Sequence, residues 1–292
     1  MSAEPVEIAD ATEALAEFLA ASAGPALVLS GAGMSTDSGI PDYRGPEAPA
    51  RMPMTIAEFR SGPVARQRYW ARSHLGWRRM FDARPNAGHR ALARLQHHES
   101  TGPVITQNVD GLHQRAGSTD VTDLHGRIDR VICLDCTAIS GRTELHTRLT
   151  AGNPGFGAGL DPIQRPDGDV ELADTSDFVV ADCRVCGGIL KPDVVFFGEN
   201  VPPARVESCY QLVDRAGSLL VLGSSLTVQS GLRFVRRADQ LGTPVAIVNR
   251  GRTRGDEFAT ITLHAGCSEV LAGLVSRGLV SRTGPASARP GR

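Results

Sequence analysis

The stretch ALVLSGAGMS, residues 26–35, decides the fold class, because a short apolar run leads directly into a glycine-rich turn at Gly31, Ala32 and Gly33. At a strand-to-helix turn, glycines let backbone N–H groups approach a pyrophosphate, whose charge the helix dipole favours. The third glycine of the GxGxxG pattern is absent, and no acidic residue is evident about 20 positions later. By itself the stretch fits an ordinary turn as well as nucleotide binding.

Short apolar runs recur along the rest of the chain, and helical stretches separate several of them. Such runs are typical of strands in a parallel sheet that helices cover on both faces. We therefore predict an α/β fold, a Rossmann-like doubly wound parallel sheet with a smaller inserted zinc-binding and helical module. The predicted strands are 26–29, 103–106, 194–197, 219–222, 245–248 and 261–263, and the predicted helices include 204–216, 268–277 and one that starts at the capping pair Asp10 and Glu13.

Two stretches interrupt this alternation. Residues 46–100 are rich in arginine and aromatic residues, and residues 127–190 contain two cysteine pairs and a Gly/Pro/Asp-rich insert, GNPGFGAGLDPIQRPDGD. We predict a single domain over 1–280 in which these stretches form a helical insert and a zinc module. The large lobe then comprises about 1–45, 101–126 and 191–280, and the tail 281–292 is predicted to be disordered.

Four of the six cysteines form two Cys-x-x-Cys pairs, Cys133 with Cys136 and Cys183 with Cys186. In a reducing compartment such pairs are typical of thiolate metal ligands, and four sulfur donors complete the tetrahedral set of zinc. A redox dithiol or a chance pairing is the alternative. A zinc ion held by four cysteines stabilises the fold and has no position left for water. Cys209 shares a helical face with apolar residues, so we expect it to be buried.

The overall composition argues against several functional classes. The chain has 292 residues, of which 41% are hydrophobic and 22% charged, which is enough apolar material for a sizeable core. A formal net charge of −1 argues against a protein that mainly binds nucleic acid or an anionic membrane. No apolar run approaches the roughly 20 residues that span a bilayer, and the N-terminal sequence lacks secretory and transit-peptide features. We expect a cytoplasmic protein.

Polar and glycine residues follow several of the predicted strands. Carboxyl ends of parallel strands meet at one crevice, which is where such sheets bind ligands. The set suits a dinucleotide with two riboses and a diphosphate, whereas the alternative is that these residues only form turns. Asn249 would then contact a ribose in place of the acidic residue that does so in dehydrogenases, which departs from the usual way that dehydrogenases bind NAD. The segments are Gln107-Asn108-Val109-Asp110-Gly111, Gly223-Ser224-Ser225 and Asn249-Arg250-Gly251.

His125 lies just before the cysteine-containing stretch, between Leu124 and Gly126. A lone histidine is most often structural or on the surface, and seven others occur in this chain. Its predicted place at the mouth of the crevice is where a base that titrates near neutral pH would be useful. The functional hypothesis for His125 is therefore a general base.

Several motifs occur in a fixed order: GAGMSTDSGIPDYRG (31–45), TQNVDGLHQRAG (106–117), LHG (124–126), the two Cys-x-x-Cys pairs, KPDVVFFGE (191–199), GSSL (223–226) and VNRG (248–251). This order resembles that of the sirtuins, a family of NAD-dependent protein-lysine deacylases. The resemblance covers about residues 12–277. RQRYWARSHLGW (66–77), CLDC and the long insert between the cysteine pairs look like the class II branch of that family.

The resemblance implies that NAD is a co-substrate and not a hydride carrier. The amide oxygen of an acyl-lysine attacks C1′ of the nicotinamide ribose, nicotinamide leaves, and the acyl group passes from lysine to ADP-ribose. By the family pattern, His125 is the general base that deprotonates a ribose hydroxyl. Asn108 and Gln107 order that ribose, while Asp110 and Ile40 hold the carboxamide of nicotinamide. The predicted catalytic residues are His125, Asn108 and Asp110.

The same family pattern implies the other contacts with NAD. One group of residues lines a mobile cofactor loop, and a second group holds the phosphates and the adenosine. The loop residues are Gly31, Ala32, Gly33, Asp42, Tyr43 and Arg44, and the second group comprises Gly223, Ser224, Ser225, Asn249, Arg250, Gly251 and Cys267.

The resemblance also implies a peptide site, in which the substrate adds as an extended strand between residues 195–199 and the Gly223 region. The backbone carbonyl of Val195 would accept the substrate lysine N–H, and Phe197 would wall the acyl tunnel. VVFF is equally typical of a buried strand. Tyr69 and Arg72 have the spacing that puts both on one helical face. Such a pair binds acidic acyl groups in the desuccinylating branch, whereas a solvated arginine-rich face is the alternative.

The implied partners are NAD, one structural Zn²⁺ and acylated-lysine proteins or peptides, without nucleic acid or membrane. Three other functions use parts of the same pattern. A mono-ADP-ribosyltransferase would pass the activated ribose to a protein nucleophile, an NAD-linked dehydrogenase would transfer a hydride, and a zinc-finger protein would bind nucleic acid. No segment resembles a hydride-transfer substrate site, and the near-zero net charge disfavours nucleic-acid binding.

Overall fold

Strands and helices alternate along most of the chain in the computed structural model, which describes residues 5–42, 53–159, 170, 172 and 174–278. The strands within these residues are β1 (Ala26–Ser30), β2 (Thr101–Thr106), β3 (Val121–Asp123), β4 (Gly126–Cys133), β5 (Ile139–Gly141), β6 (Leu190–Val194), β7 (Leu219–Leu222), β8 (Val245–Val248) and β9 (Ile261–Leu263). The α-helices are α1 (Ile8–Ala21), α2 (Ile56–Arg60), α3 (Pro63–Asp82), α4 (Ala87–His97), α5 (Leu112–Arg115), α6 (Arg142–Gly152), α7 (Pro203–Arg215), α8 (Gln229–Gln240) and α9 (Cys267–Ser276).

Six parallel strands form the larger sheet, in the order β3-β2-β1-β7-β8-β9. The central strands β1, β7 and β8 are buried along their whole length, as expected for strands covered on both faces. All six strands end in register, so that one edge of the sheet presents their last residues side by side: Asp123, Thr106, Ser30, Leu222, Val248 and Leu263.

Helices pack on both faces of this sheet, which confirms the doubly wound prediction. On one face, α1, α4 and α9 share a core with the alternate strand residues that point towards them. On the other face, Cys209 and Val213 of α7 pack with Leu232 and Phe234 of α8. Burying each such side chain contributes about 1.5–3 kcal/mol. Cys209 is fully buried, as predicted.

A smaller antiparallel sheet, in the order β5-β4-β6, carries both cysteine pairs near its ends. The prediction of a parallel strand over 194–197 is wrong, because the strand is Leu190–Val194 and it pairs with β4. Beyond Val194 the backbone leaves the sheet: Val195 N–H donates to the His125 carbonyl, and Phe196 N–H donates to the Glu199 carboxylate. An apolar run alone does not distinguish a strand from such a buried, tethered loop.

The helices between β1 and β2 pack against different sheets. Phe59 of α2 and Tyr69 and Trp70 of α3 belong to the core of the smaller sheet. Leu92 and Leu95 of α4 instead pack with α1 and α9 against the larger sheet, although they fall within the predicted insert of residues 46–100. The helical insert that leaves the large sheet therefore ends before α4.

The first helix starts earlier than the pair Asp10 and Glu13 predicted. The N-cap residue of α1 is Glu7, whose side chain makes no capping hydrogen bond, and Asp10 lies within the first turn. The chain before the helix is held by Val6, whose N–H donates to the His264 carbonyl beyond β9. Within the part of the chain that the structure describes, no helix has the length and apolar composition needed to cross a membrane.

Candidate functional site

A cavity of about 1250 Å³ opens at the edge of the larger sheet where the six strands end. It brings together residues that are far apart in sequence, as a ligand site at the carboxyl ends of parallel strands requires. The predicted site residues that line it are Gly31, Ala32, Gly33, Ile40, Asp42, Tyr69, Gln107, Asn108, Asp110, His125, Val195, Phe197, Gly223, Ser224, Ser225, Asn249, Arg250, Gly251 and Cys267. Tyr43 and Arg44 lie outside the described residues.

The glycines after β1 and β7 let two strand-end loops touch. Gly33 N–H donates to the Gly223 carbonyl at 2.8 Å, and Gly31 N–H donates to the Leu222 carbonyl at 2.9 Å. A Cβ atom on Gly33 would lie 2.9 Å from the Cα of Gly223, and one on Gly31 would lie 2.7 Å from the Cβ of Ser224. Only glycine fits either position, so the floor of the cavity is backbone, which can approach a phosphate closely.

Three polar side chains form a connected cluster on one wall of the cavity. Asn108 Nδ2 donates to the Gly31 carbonyl at 2.9 Å and lies 3.1 Å from Ser35 Oγ. Ser35 Oγ in turn donates to Asp110 Oδ2 at 2.7 Å, and Leu112 N–H donates to Asp110 Oδ1 at 2.8 Å. Burial raises the pKa of Asp110, and the hydrogen bonds from Leu112 and Ser35 oppose that rise. The cluster fixes the Asn108 amide and the Asp110 carboxyl relative to the glycine turn.

His125 is fixed through both ring nitrogens. Nδ1 lies 2.9 Å from the Gln107 carbonyl oxygen and Nε2 lies 2.8 Å from Ser230 Oγ. Because a carbonyl oxygen only accepts, Nδ1 carries the proton, and Nε2 of the neutral ring accepts the Ser230 hydroxyl. Burial lowers the pKa of His125; the Gln107 hydrogen bond raises it, and the charges of Arg205 and Arg233 lower it. A neutral imidazole with its Nε2 lone pair towards the cavity has the form of a general base.

The side chain of Gln107 joins two strand ends. Its Nε2 donates to Ser224 Oγ at 2.9 Å and to the Ser30 carbonyl at 3.2 Å. A Cβ on Gly231 would come within 2.6 Å of Gln107 Oε1, so a larger residue at the start of α8 would push this side chain away. Gln107 thus orients His125 through its backbone and the Ser224 loop through its amide.

The far end of the cavity is formed by the loop after β8 and the start of α9. Asn249 Nδ2 donates to the Gly251 carbonyl at 2.6 Å, and Arg250 forms an ion pair with Glu269 at 3.1 Å. Cys267 is buried and its thiol donates to the Val248 carbonyl at 3.3 Å, and burial raises its pKa to about 12. Cys267 is therefore an uncharged wall of the cavity and not a nucleophile.

The segment that contains Val195 and Phe197 is held by the only lysine of the chain. Lys191 is buried, lies 3.1 Å from Glu199 and donates to the Val194 carbonyl, while its ammonium group sits 4.8 Å from the Phe196 ring centroid. Glu199 also accepts the Phe196 N–H at 2.9 Å. These contacts link residues 191–199 to one another and hold their backbone in place. Val195 and Phe197 therefore line the cavity from a fixed backbone.

Tyr69 and Arg72 do not both reach the cavity. Tyr69 lines it and packs edge-on against Phe59, with ring centroids 5.4 Å apart. Arg72 is absent from the cavity lining among the described residues, and its Nε donates to the Val170 carbonyl at 2.5 Å. The spacing correctly puts both residues on α3, but the guanidinium group of Arg72 is directed to the zinc-bearing part of the fold.

The polar residues of the cavity that sequence reasoning missed include Ser35, Ser230 and Arg233. Ser35 directly follows the glycine turn, so its position after a strand end was an available signal. Ser230 and Arg233 lie on the first turns of α8, which follows the polar end of β7. A helix that follows a strand end begins near the crevice, and this was an available signal for both residues.

The four predicted zinc ligands converge on one point away from the cavity. The Sγ atoms of Cys133, Cys136, Cys183 and Cys186 all lie within 4.8 Å of one another. Cys133 and Cys186 are 3.6 Å apart, and Cys136 and Cys183 are 3.8 Å apart. A tetrahedron with Zn–S bonds of about 2.3 Å has S···S edges of about 3.8 Å, so the donor set fits a zinc ion.

Both cysteine pairs lie in the same type of turn. Thr137 N–H donates to the Cys133 carbonyl at 3.0 Å, and Gly187 N–H donates to the Cys183 carbonyl at 2.9 Å. Thr137 and Gly187 both adopt positive φ, of 60° and 72°. Hydrogen bonds from the backbone of Cys186 and Val185 lower the pKa of Cys183 to about 7. The turns therefore aim the sulfur atoms inward, as a metal site needs, and favour the thiolate of Cys183.

Comparison with known proteins agrees with this geometry. The sequence model of the Sir2 family matches residues 31–230. A protein named NAD-dependent protein deacetylase 1 from Streptomyces coelicolor is 61% identical over 244 residues, covering 81% of this chain and 80% of the relative. A protein of the same name from Mycobacterium avium is 56% identical over 261 residues, covering 88% and 93%. A solved structure of Sir2 with a p53 peptide and NAD⁺ has a TM-score of 0.74 at 31% identity, covering 92% of this chain and 99% of that one.

Proposed function

This chain belongs to the Sir2 family and is an NAD-dependent protein deacetylase, and we propose that His125 is the general base of its reaction. NAD is the co-substrate: its ADP-ribose accepts the acetyl group of lysine, and nicotinamide is released. The observation that carries the proposal is the neutral His125 ring at the cavity, with Nδ1 protonated against Gln107 and Nε2 directed inward.

His125 takes a proton at Nε2 in the proposed mechanism. The Ser230 hydroxyl occupies Nε2 in this structure, so a ribose hydroxyl would replace it when the site is filled. The protonated ring keeps its Nδ1 hydrogen bond to the Gln107 carbonyl, which favours the charged form and so assists the transfer. General-base catalysis of this kind contributes typically 10²–10⁴-fold to the rate.

Asn108 and Asp110 are proposed to position the nicotinamide end of NAD. Their mutual contact through Ser35 and their bonds to backbone leave little freedom in either side chain. An amide is a weak nucleophile, so holding both reactants in line must supply much of the acceleration. The backbone floor at Gly31, Gly33 and Gly223 would receive the diphosphate.

The Cys₄ cluster is proposed to hold one zinc ion in a structural role. All four ligands are sulfur, so the ion would have no open coordination position for substrate or water. Its place at the ends of β4 and β6 would tie the smaller sheet together, and that sheet carries the tethered loop with Val195 and Phe197. The zinc site therefore supports the peptide site from a distance.

Finer assignments rest on sequence motifs and stay proposals. We propose membership of the class II branch, supported by RQRYWARSHLGW and the long insert between the cysteine pairs, and a single domain over 1–280. A cytoplasmic location is supported by two Cys-x-x-Cys pairs arranged as metal thiolates. Removal of acyl groups longer than acetyl stays a prediction, and of the pair proposed to bind them only Tyr69 lines the cavity.

The test is a comparison of the wild-type protein with His125→Ala. Each is incubated with NAD and an acetyl-lysine peptide, and free nicotinamide and deacetylated peptide are measured. We expect the variant to lose at least 100-fold in turnover while its zinc content and thermal melting stay those of the wild type. Retained turnover would remove His125 from its assigned role.

A further inference from the structure

Arg233 lies where the cavity meets a second, shallower groove. This groove has a volume of about 450 Å³ and runs between α7 and α8. Among the described residues, only Gln229 and Arg233 line both the cavity and the groove. Arg233 follows Ser230, the hydrogen-bond partner of His125, by three residues on α8. Arg233 therefore lies between the cavity that contains His125 and the groove on the outer surface.

The charge of Arg233 is not neutralised within the described part of the chain. Its Nε donates to the Gln229 carbonyl at 3.3 Å, one helical turn back, and no carboxylate of the described residues lies within 4 Å. The neighbouring arginines differ. Arg237 forms an ion pair with Asp214 at 2.8 Å, and Arg236 lies over the Phe258 ring at 5.8 Å. Within the described residues, Arg233 and Arg236 are therefore the guanidinium groups of this groove without a carboxylate partner, and of the two only Arg233 also lines the cavity.

A second cation reinforces this positive region. Arg205 of α7 donates to the Leu124 carbonyl, next to His125, and within the described residues it has no carboxylate partner either. Both guanidinium groups are half-buried, and both lie close enough to His125 for their positive charges to lower its pKa. An anion that arrives with the substrate would be attracted to this positive region.

We propose that Arg233 is a specificity-determining residue that binds a carboxylate of the acylated substrate. The proposal rests on the deacetylase function and adds a preference for acylated substrates that carry a carboxylate. The carboxylate has two sources: an aspartate or glutamate flanking the acetyl-lysine, or the far end of an acidic acyl chain. The groove leads outward over the surface between two helices, so a flanking side chain is the source that its position favours.

The other charges of the groove limit what it accepts. Glu207 and Asp214 also line it, and Arg237 neutralises only Asp214. Glu207 would repel a run of acidic residues that continued along the groove. The preferred substrate therefore carries a single acidic residue near the acetyl-lysine and not an acidic tract.

The experiment compares pairs of peptides that differ by one carboxylate. Acetyl-lysine peptides carry Asp or Asn at one flanking position at a time, and a second pair with neutral flanks carries succinyl- or butyryl-lysine. The ratio of kcat/KM between the acidic and the neutral member is measured for the wild type, Arg233→Gln and Arg233→Glu. Arg215→Gln is the matched control, because Arg215 makes the same Nε bond to the carbonyl four residues back but lines neither the cavity nor the groove.

We expect the wild type to prefer the acidic member at one flanking position by about 3- to 10-fold, mainly through KM, and less so at 0.5 M salt. The ratio should fall to about 1 in Arg233→Gln, below 1 in Arg233→Glu, and stay at the wild-type value in Arg215→Gln. An Arg233-dependent preference confined to succinyl-lysine supports the proposal with the acyl chain as the source.

Two results would overturn it: a wild-type ratio of 1 for every pair, or an unchanged ratio in Arg233→Gln. Turnover of the Asn peptides by the wild type keeps the deacetylase function intact in either case. If no acylated peptide were turned over at all, the function itself would fall together with the preference.

Discussion

The Nδ1 atom of His125 lies 2.9 Å from the carbonyl oxygen of Gln107, and this contact sets the tautomer of the neutral ring of the candidate base. A carbonyl oxygen has no proton to give, so the imidazole presents its lone pair at Nε2, on the cavity side. Gln107 is the first residue after β2, while its side chain reaches the Ser224 loop after β7. One residue thus couples the orientation of His125 to the floor of the proposed NAD site.

The pH dependence of turnover follows from the state of His125. Burial holds its pKa below the ordinary value of 6.5, and the reaction needs the neutral ring. On lowering the pH, kcat/KM should therefore fall with a midpoint below pH 6.5. Arg233→Gln removes a positive charge that lowers this pKa, so the acid limb of that variant should move to higher pH. A wild-type limb centred above pH 6.5 would contradict the assignment.

Acid stability should depend on two buried histidines behind the glycine turn. Burial lowers the pKa of His89 to about 4 and that of His113 to about 3, from 6.5. Below pH 6.5 the unfolded chain binds protons that the folded protein does not. The stabilisation from each neutral histidine is thus complete above pH 6.5 and is lost as the pH falls towards the folded pKa, at up to about 1.4 kcal/mol per pH unit.

His89→Gln tests this dependence without removing the helix cap. His89 is the third residue of α4 and closes a capping box with Asn86, a position that glutamine also suits. Between pH 7.5 and pH 5.0, the wild type should lose about 2 kcal/mol more of its free energy of unfolding in urea than the variant does. His97→Gln, at an exposed position of the same helix, should lose as much as the wild type. Equal losses in all three proteins would show that His89 does not titrate on unfolding.

Cys183→Ser should remove the metal and weaken the smaller sheet. The variant keeps three sulfur donors, and its thermal unfolding should begin at a lower temperature because metal binding and folding are coupled. Mass spectrometry under native conditions should find one zinc in the wild type and none in the variant. Cys209→Ser changes a buried cysteine outside the cluster, so that protein should retain its zinc even if it melts earlier. Full zinc occupancy of Cys183→Ser would refute the four-cysteine site.

Gly33→Ala should damage the NAD site through the backbone. Its Cβ would lie 2.9 Å from Gly223 Cα, so the two strand-end loops must separate. We expect a loss of about 1–3 kcal/mol in stability and a KM for NAD at least tenfold higher. Gly24→Ala provides the control, since a Cβ there meets no atom within 4 Å. A Gly33→Ala enzyme with the wild-type KM would show that the close contact of these loops is not required.

The large sheet and the zinc cluster could be predicted from the sequence because each depends on a local pattern. Runs such as 219–222 are apolar at every position, which only strands buried on both faces tolerate, and two Cys-x-x-Cys pairs leave few alternatives. The same rule failed at 194–197, where the run is equally apolar. There Lys191 and Glu199 bind the backbone three residues away, and these local polar contacts have no signature in hydrophobicity.

The positions of site residues could be predicted where the residues lie at strand ends. They were harder to predict where they depend on the direction of a long side chain. Asn108, Asp110 and His125 are placed by the backbone, so their convergence follows from the parallel sheet. Arg72 has several rotatable bonds. Helical spacing predicts the face of α3 on which Arg72 lies, but it does not predict which carbonyl the guanidinium group contacts. Ser230 contacts His125 across 105 residues, which only the packing of α8 against the sheet determines.

The most direct test of the central claim is the stoichiometry of the reaction. The zinc-loaded protein is incubated with an acetyl-lysine peptide and NAD labelled in its adenine ring, and nicotinamide, deacetylated peptide and labelled products are quantified together. We predict equal amounts of nicotinamide, deacetylated peptide and acetylated ADP-ribose, with no label on protein. Label on protein without loss of the acetyl group, or deacetylation without release of nicotinamide, would contradict it.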